Sequence, residues 1–447
     1  MNHQLFKRKI YSQILQWKQQ SAGSTALMIQ GARRVGKSTI AQEFAKKEYE
    51  SFISIDFSEA EQVIIDLFED KVPLDYLFLT LQNFYGTKLH ERKSVIIFDE
   101  IQLCPSARQA IKRLVRDGRF DYIETGSLLT IKKNVQNILI PSEETRINMF
   151  PLDFEEFLWA IEQPLLFESA RYAFEKRRPM GDSMHRTMMR YFRLYMLVGG
   201  MPQAIEAFNK TGDMASVDAI KRNILELYKD DFRKIDPLGR LSNIFRSIPA
   251  ELARNTLRYK VGSVIENATA NRIAEPLMEM SESLTVNFSF HSNDPSVGFA
   301  LHANPDFFKL FLADTGLFVT LAFQDATYVD NEIYRKLLVD KLPVDLGYVY
   351  ENVVAQMLRT AGNELYYYTF KETDDSKKNY EIDFLISRKG KICPIEVKSS
   401  GYNRHISLDL FRQKFSSRIL QSYIINTKDL QTDGDIISIP AYMTLLL

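Results

Sequence analysis

A short run near the N-terminus has the composition of a phosphate-binding loop. It reads Gly31-Ala-Arg-Arg-Val-Gly36-Lys37-Ser38 and matches the pattern G-x-x-x-x-G-K-[ST] without departure. Glycine at both ends lets backbone N–H groups wrap a polyanion closely, and the N-terminus of the helix that follows adds partial positive charge. Lys37 can reach the β- and γ-phosphates of a nucleotide, and Ser38 offers a hydroxyl ligand to Mg²⁺. The predicted nucleotide-binding residues are Gly31, Ala32, Arg33, Arg34, Val35, Gly36, Lys37, Ser38 and Thr39.

Two acidic residues follow an apolar run farther along the chain. Ser94–Phe98 is typical of a strand buried on both faces, and Asp99 and Glu100 come directly after it. We expect Asp99 to hold Mg²⁺, directly or through water, and Glu100 to polarise an attacking water. After the strand candidate Tyr122–Glu124, Ser127 or Thr125 is a candidate sensor of the γ-phosphate; the alternative is an ordinary polar turn.

A third set of charged residues lies near the C-terminus. Apolar segments on both sides of Lys389-Gly390 predict a β-hairpin whose register places Asp383 opposite Glu396. Lys398, two residues after Glu396, then shares their face of the sheet. Two carboxylates on one face repel unless a cation joins them or one is protonated, so we predict a divalent ion such as Mg²⁺ at Asp383 and Glu396. Lys398 would orient or activate a water for attack on a phosphodiester.

These residues need strands and helices to position them, and the apolar pattern predicts an α/β fold. Residues 1–160 alternate strands with helical stretches, which indicates a mainly parallel sheet flanked by helices. Residues 161–238 read as a helical lid, 239–328 as a winged-helix-like domain with β pieces at Ser283–Phe290 and Gly298–Ala303, and 329–447 as a helix followed by strands. The strand candidates of the first segment are Ala26–Gln30, Phe52–Phe57, Ser94–Phe98, Tyr122–Glu124 and Ile147–Phe150.

The chain resembles a known family over nearly its whole length: bacterial and archaeal AAA-type P-loop ATPases fused to a C-terminal domain of unknown function. The resemblance implies ATP and Mg²⁺ as cofactors, ATP hydrolysis, a helical lid and a winged-helix-like module. Relatives commonly carry Gly-Arg where this chain has Thr145-Arg146, and Arg146 is the candidate arginine finger. The segments that carry the resemblance are Gly31–Ser38, Asp99–Gln102, Thr125–Ser127, Phe150–Phe157, Gly199–Pro202 and Asp314–Leu317.

The C-terminal pattern is similar to the D…E-x-K signature of the restriction-endonuclease-like, or PD-(D/E)xK, fold. That core normally begins with a helix that can carry a glutamate, and Glu351 in Tyr350–Leu358 matches it. The resemblance makes Glu351, Asp383, Glu396 and Lys398 candidate catalytic residues of a metal-dependent nuclease acting on nucleic acid under the control of ATP. The alternative is an ATP-dependent switch or scaffold whose nuclease-like domain binds protein or nucleic acid without cleavage. A toxin-like or defence component is a third hypothesis.

Composition limits these hypotheses. The 447 residues contain 57 Lys+Arg and 57 Asp+Glu, which excludes a polycationic nucleic-acid coat but not a local basic patch. Arg254 and Arg258, four residues apart, would share a helix face that binds DNA phosphates or is simply solvated. Two cysteines suggest a reducing compartment, and no run reaches the roughly 18 apolar residues of a membrane helix. We therefore expect a cytoplasmic protein with no membrane partner, with ATP, DNA and a second copy of the chain as candidate partners.

Overall fold

The computed structural model describes residues 5–69, 71–126, 143–254, 256–265, 273–324, 339, 347–372, 378–399 and 405–447. They belong to two compact units: Met1–Phe150 with Glu282–Leu284, and Pro151–Ser281 with Thr285–Leu447. The four segments expected from the sequence therefore differ from the two units of the structure. Among the described residues, no helix is long and apolar enough to cross a membrane.

The first unit is built on a parallel sheet with the strand order β2-β3-β4-β1-β5. The expected strands are all present, and Ile147–Phe150 starts earlier, at Glu144. Strands β1, β3 and β4 are buried along their whole length. This explains why β1 and β3 are mainly apolar without alternation, whereas β4 also buries Asp121, Glu124 and Thr125. The strands are β1 Ala26–Gly31, β2 Ser51–Asp56, β3 Ser94–Asp99, β4 Asp121–Gly126 and β5 Glu144–Met149.

Helices cover this sheet, and one of them shows how the sequence determines their limits. Helix α5 begins at Pro105, whose fixed φ suits the first helical position, and ends before Gly118, which has a φ of 76°. Its buried residues Ala107, Ile111 and Leu114 recur at helical spacing, so one face packs on the sheet. The helices of this unit are α1 Ile10–Ser21, α2 Lys37–Glu48, α3 Gln62–Asp66, α4 Leu74–Tyr85 and α5 Pro105–Asp117.

The second unit opens with helices, which lie in the segment where the sequence predicts a helical lid. The first of them starts with a capping box, in which Asp153 accepts from the N–H of Glu156 and the Glu156 carboxylate accepts from the N–H of Asp153. These helices are α6 Phe154–Ala160, α7 Pro164–Glu175, α8 Asp182–Val198, α9 Pro202–Thr211, α10 Met214–Ile235 and α11 Arg240–Ala253.

A mixed sheet with the order β12-β13-β11-β10-β9-β8-β6-β7 forms the rest of the second unit. Its strands are β6 Val286–Ser292, β7 Ala303–Leu312, β8 Leu365–Lys371, β9 Asn379–Arg388, β10 Lys391–Val397, β11 Ser422–Asn426, β12 Gln431–Asp433 and β13 Ile436–Pro440. The helices are α12 Ala274–Glu282, α13 Phe299–His302, α14 Thr315–Ala322, α15 Gly347–Thr360 and α16 Ile406–Phe415. Short 3₁₀ turns lie at Ile101–Leu103, Val261–Ser263, Ser416–Arg418 and Ala441–Leu446.

The structure changes the expectation for the region with the winged-helix-like pattern. Strand β6 pairs with β7 on one edge and, in parallel, with β8 on the other, so the boundary expected at residue 328 falls inside one sheet. The β piece expected at Gly298–Ala303 is mostly the short helix α13. Helix α11 ends at Ala253, so Arg254 and Arg258 do not share a helix face as expected. Arg254 instead pairs with Glu251, and the Arg258 guanidinium lies 4.1 Å from the centre of the Phe307 ring.

Two glycine-containing motifs meet inside the second unit. The Gly200 N–H donates to the Asp314 carboxylate over 2.5 Å, and the Gly200 carbonyl accepts from the N–H of Leu152 over 2.8 Å. A Cβ at Gly200 would lie 2.1 Å from the Leu152 carbonyl oxygen, so only glycine allows this approach. The buried ammonium of Lys221 donates to the Leu197 carbonyl over 2.6 Å. The motifs Gly199–Pro202 and Asp314–Leu317, far apart in sequence, thus form one packed junction.

Candidate functional site

The predicted phosphate-binding loop connects β1 to α2 in the first unit. A Cβ at Gly31 would lie 2.5 Å from the Met149 carbonyl oxygen, so the close packing of β1 on β5 requires glycine there. Gly36 has a φ of 99°, a conformation that suits glycine, and helix α2 starts at the next residue. The loop's backbone thus turns directly into a helix N-terminus, where N–H groups and the helix dipole favour an anion.

Lys37 lies at the base of this loop. Its side chain is buried, and the ammonium donates to the carbonyl oxygens of Gly31 over 3.1 Å and of Ala32 over 3.0 Å. Both acceptors belong to the loop itself, so the positive charge is placed inside it. Among the other predicted loop residues, Arg34 and Thr39 are exposed, whereas Val35 is buried in the unit.

Asp99 joins the ends of three elements. Its Oδ1 accepts from the Ser38 hydroxyl over 2.8 Å, from the Glu100 N–H over 3.2 Å, and from the Thr125 hydroxyl. Strand β4, which carries Thr125, lies between β1 and β3, so all three carboxyl ends meet at one edge of the sheet. The hydroxyl and carboxylate of Ser38 and Asp99 are oxygen ligands of the kind that Mg²⁺ prefers, and they fit this ion.

Glu100 follows Asp99 with a left-handed backbone. Its φ is 51°, which costs a non-glycine residue on the order of 1 kcal/mol, and such strain clusters at functional sites. The side chain is half-buried, and the Gln102 amide donates to its carboxylate. The sequence pattern did not indicate that Gln102 would contact Glu100 or that Thr125 would contact Asp99. Both residues nevertheless belong to the motifs that carry the family resemblance, and this membership is the signal that could have found them.

A buried ion cluster joins helix α5 to the strands β4 and β5. The Arg108 guanidinium on α5 contacts the carboxylates of Glu124 on β4 and Glu144 on β5, and all three side chains are at most 2% exposed. Burial raises the pKa of Glu124 to about 8, and Arg108 opposes that shift. Glu124 directly precedes Thr125, so the cluster fixes the strand that carries the Asp99 contact. Sequence reasoning missed it because its members come from three separate elements.

Of the two remaining candidates of the first unit, Arg146 is not at the loop. The Arg146 Nε lies 2.6 Å from the Glu144 carboxylate, and the side chain is 44% exposed. Arg146 pairs with Met28, three positions before Gly31, or about 10 Å behind the carboxyl edge of the sheet. It therefore does not reach the nucleotide loop of its own chain. Ser127 lies outside the described residues.

The C-terminal hairpin has the expected register. Ladder pairs run from Lys391 with Arg388 to Ile395 with Phe384, and one further step places Asp383 opposite Glu396. Lys389 and Gly390 have φ values of 48° and 71°, as in the two-residue type I′ turn.

Glu351, Asp383, Glu396 and Lys398 line one cavity of 390 Å³ in the second unit. The Lys398 ammonium lies 2.7 Å from the Glu396 carboxylate, and the Val397 N–H donates to Asp383 over 2.7 Å. Burial raises the pKa of both Asp383 and Glu396. The structure thus brings together the four residues that the sequence singled out here.

Two further charges belong to this cavity region and were missed. Glu381 lies two residues before Asp383, so the same alternation that grouped the hairpin residues could have found it. Its carboxylate is 2.5 Å from the ammonium of Lys309, which is 6% exposed and comes from β7. Burial raises the pKa of Glu381 to about 7, whereas the carboxylates around Lys309 outweigh its burial and raise its pKa. Within the described ranges, no group of three or more His, Cys, Asp or Glu side chains is placed to hold a metal ion.

The parallel sheet, its loop and the Ser38–Asp99 pair define the first unit as a P-loop nucleotide-binding domain of the ATPase class. In agreement, a family model described as an AAA domain matches residues 23–158. Two further models, both described as domains of unknown function, match residues 189–328 (DUF8612) and 346–442 (DUF4143). The sequence matches no curated protein.

Three solved structures are similar at low identity. A Walker-type ATPase of Pyrococcus abyssi is 16% identical, with a TM-score of 0.40 over 71% of this chain and 96% of its own. PCH-2 of C. elegans is 12% identical, with a TM-score of 0.26 over 48% of this chain and 68% of its own. A STAND-type signal transduction ATPase of Pyrococcus horikoshii is 11% identical, with a TM-score of 0.27 over 80% and 46%. At these scores the likenesses carry no argument about function.

Proposed function

We propose that the chain binds ATP with Mg²⁺ and hydrolyses it, and that its nucleotide state controls a nuclease-like module in the second unit. The observation that carries the first part is Asp99, which contacts both the loop residue Ser38 and the Thr125 hydroxyl on the central strand. A phosphate-binding loop and a buried carboxylate, at the carboxyl ends of the two strands that flank β4, are the two parts that nucleotide hydrolysis needs.

In this proposal each residue has one task. The loop N–H groups and the Lys37 ammonium bind the phosphates, exchanging the carbonyl contacts of Lys37 for phosphate oxygens. Ser38 and Asp99 hold Mg²⁺, which neutralises phosphate charge when bound. Glu100 accepts a hydrogen bond from the attacking water and orients it, while Gln102 holds the Glu100 carboxylate.

Two candidates enter this proposal in subordinate roles. Ser127, next to Gly126 at the end of β4, is kept as a second sensor of the γ-phosphate beside Thr125. Because Arg146 lies on the edge strand and is partly exposed, it would act as an arginine finger only on a neighbouring copy of the chain. A homo-oligomer is therefore part of the proposal.

Lys37→Ala tests the ATPase assignment. Lys46→Ala is the matched control, since Lys46 is exposed on the same helix about 13 Å along its axis. We expect Lys37→Ala to abolish ATP turnover and to weaken binding of a fluorescent ATP analogue, and Lys46→Ala to keep both. Equal turnover in Lys37→Ala and wild type would remove the basis of the assignment.

For the second unit, the proposal includes a restriction-endonuclease-like core. The β9–β10 hairpin, the parallel neighbour β11 and the helix α15 that carries Glu351 support this interpretation. The four pattern residues line one cavity, as an inherited nuclease site would require.

Cleavage of nucleic acid and binding without cleavage remain the two hypotheses for this cavity, and we favour binding. The supporting observation is the ammonium of Lys309, which comes from the edge strand β7 and contacts Glu381, one of the carboxylates that line the cavity. We expect neither wild type nor Asp383→Ala to cut plasmid DNA with Mg²⁺ or Mn²⁺, in the presence or absence of ATP. Cutting by wild type that Asp383→Ala lacks would instead establish the nuclease.

A further inference from the structure

We propose that the buried ammonium of Lys309 takes the place of a divalent cation in the carboxylate cavity, so that this site works without a metal. The inference rests on the nuclease-like interpretation of the second unit, because that interpretation is what implies a metal at Asp383 and Glu396.

The cavity holds more buried negative charge than the hairpin pattern alone suggests. Glu381, Asp383 and Glu396 stand on two paired strands, with Glu381 and Asp383 on the same face of β9. The Glu381 and Glu396 side chains are 17% and 5% exposed, and Asp383 is half-buried. Such a group is unstable unless positive charge compensates it or one carboxyl is protonated.

Two lysines, Lys309 on β7 and Lys398 directly after β10, supply positive charge to this group. The Lys398 ammonium contacts Glu396 over 2.7 Å, and the Lys309 ammonium contacts Glu381 over 2.5 Å. The charges of Asp383 and Glu351 also act on Lys309. Two of the three buried carboxylates therefore have a direct ammonium partner, and the third accepts from the Val397 N–H.

Lys309 is not free to withdraw into solvent. It is 94% buried, its strand β7 is held by β6, and its ammonium lies 5.5 Å from the centre of the Tyr367 ring. Displacing the ammonium would leave Glu381 as a buried charge without its partner, which is strongly unfavourable. A divalent ion entering between Asp383 and Glu396 would therefore meet a fixed positive charge nearby, and its affinity should fall on the order of tenfold or more.

Binding of Mn²⁺ to the full-length, nucleotide-free chain tests the proposal by electron paramagnetic resonance. Wild type and Asp383→Asn should bind Mn²⁺ equally, because the cavity contributes no site in either. Lys309→Met should bind an additional ion per chain, and the double variant Lys309→Met/Asp383→Asn should lose it. Lys378→Met is the matched control, since Lys378 lines the same cavity and packs on the Tyr380 ring; it should behave as wild type.

Two results would overturn the proposal: an Mn²⁺ ion bound by wild type and lost in Asp383→Asn, or a folded Lys309→Met without an additional ion. If circular dichroism shows that Lys309→Met does not fold, the comparison of Mn²⁺ binding by wild type and by Asp383→Asn still tests the proposal. ATP turnover of the same proteins reports separately on the first unit, so a failure of the ATPase proposal is distinguishable from a failure of this one.

Discussion

The buried cluster of Arg108, Glu124 and Glu144 predicts a large and specific loss of stability when its cation is removed. In Arg108→Met, two carboxylates that are 0% and 1% exposed would be left without their shared partner. At a pH above about 8, where Glu124 is ionised, removing one partner of a buried ion pair costs about 3–5 kcal/mol, because the remaining charge stays buried. That is a substantial part of the roughly 5–15 kcal/mol that keeps an ordinary domain folded.

Arg116→Met is the control on the same helix. Arg116 is 67% exposed and lies 3.7 Å from Glu143, so its loss should cost about 1 kcal/mol or less. A triple variant that combines Arg108→Met with Glu124→Gln and Glu144→Gln should recover most of the lost stability, since no buried charge then remains. This recovery separates charge burial from loss of the arginine's packing.

Fluorescence of Trp17 provides the assay. Trp17 is buried in the first unit, and the only other tryptophan, Trp159, belongs to the second, so a Trp159→Phe background reports on the first unit alone. Urea unfolding in that background gives the free energy of unfolding and the slope m for each variant. The reasoning is refuted if Arg108→Met and Arg116→Met have the same unfolding midpoint at equal m.

Three further predictions concern other parts of the molecule. Glu100→Gln should lower the kcat of ATP hydrolysis about 100-fold or more while ATP binding is kept, which single-turnover kinetics and analogue titration would check. Gly200→Ala should destabilise the second unit by about 1–3 kcal/mol, because the added Cβ meets the Leu152 carbonyl. In thermal unfolding its effect should exceed that of Gly390→Ala, where the added Cβ meets nothing within 4 Å and only the positive φ of 71° strains the backbone. Since the pKa of Glu124 is about 8 when folded and 4.5 ordinarily, the folded state binds more protons between these values. The stability that Glu124 contributes is therefore lost as pH rises from about 4.5 to 8. In Glu124→Gln, the urea midpoint of unfolding measured by Trp17 fluorescence should depend less on pH over that range.

Much of the first unit could be predicted because its signals are local. Strands β1 and β3 are short, mainly apolar runs bounded by turn residues, and the loop after β1 has a spacing that few other structures require. The C-terminal hairpin was predictable for the same reason, since Lys389-Gly390 sets the register and the period of two then places Asp383 and Lys398. Local sequence patterns therefore predicted the side chains whose positions depend on one turn or one strand end.

What the sequence did not show depends on pairing between distant segments. Nothing in Val286–Leu312 indicates that β6 will join β8, whose partner residues lie some 75 positions later, so the local pattern there favours a separate winged-helix-like domain. The sequence did not predict the Arg108 cluster for a similar reason. Each of its members looks like an ordinary charged residue until α5, β4 and β5 are packed.

Lys309 shows why pairing between distant segments matters for function. From the hairpin alone, two carboxylates and a lysine on one face call for a divalent cation, and that inference is sound for an isolated hairpin. The larger sheet adds β7, and with β7 comes an ammonium that reaches Glu381. The same pairing that removes the predicted domain boundary thus changes the charge balance of the cavity. A motif can therefore keep its residues and their geometry while the fold around it supplies the charge that a metal would otherwise bring.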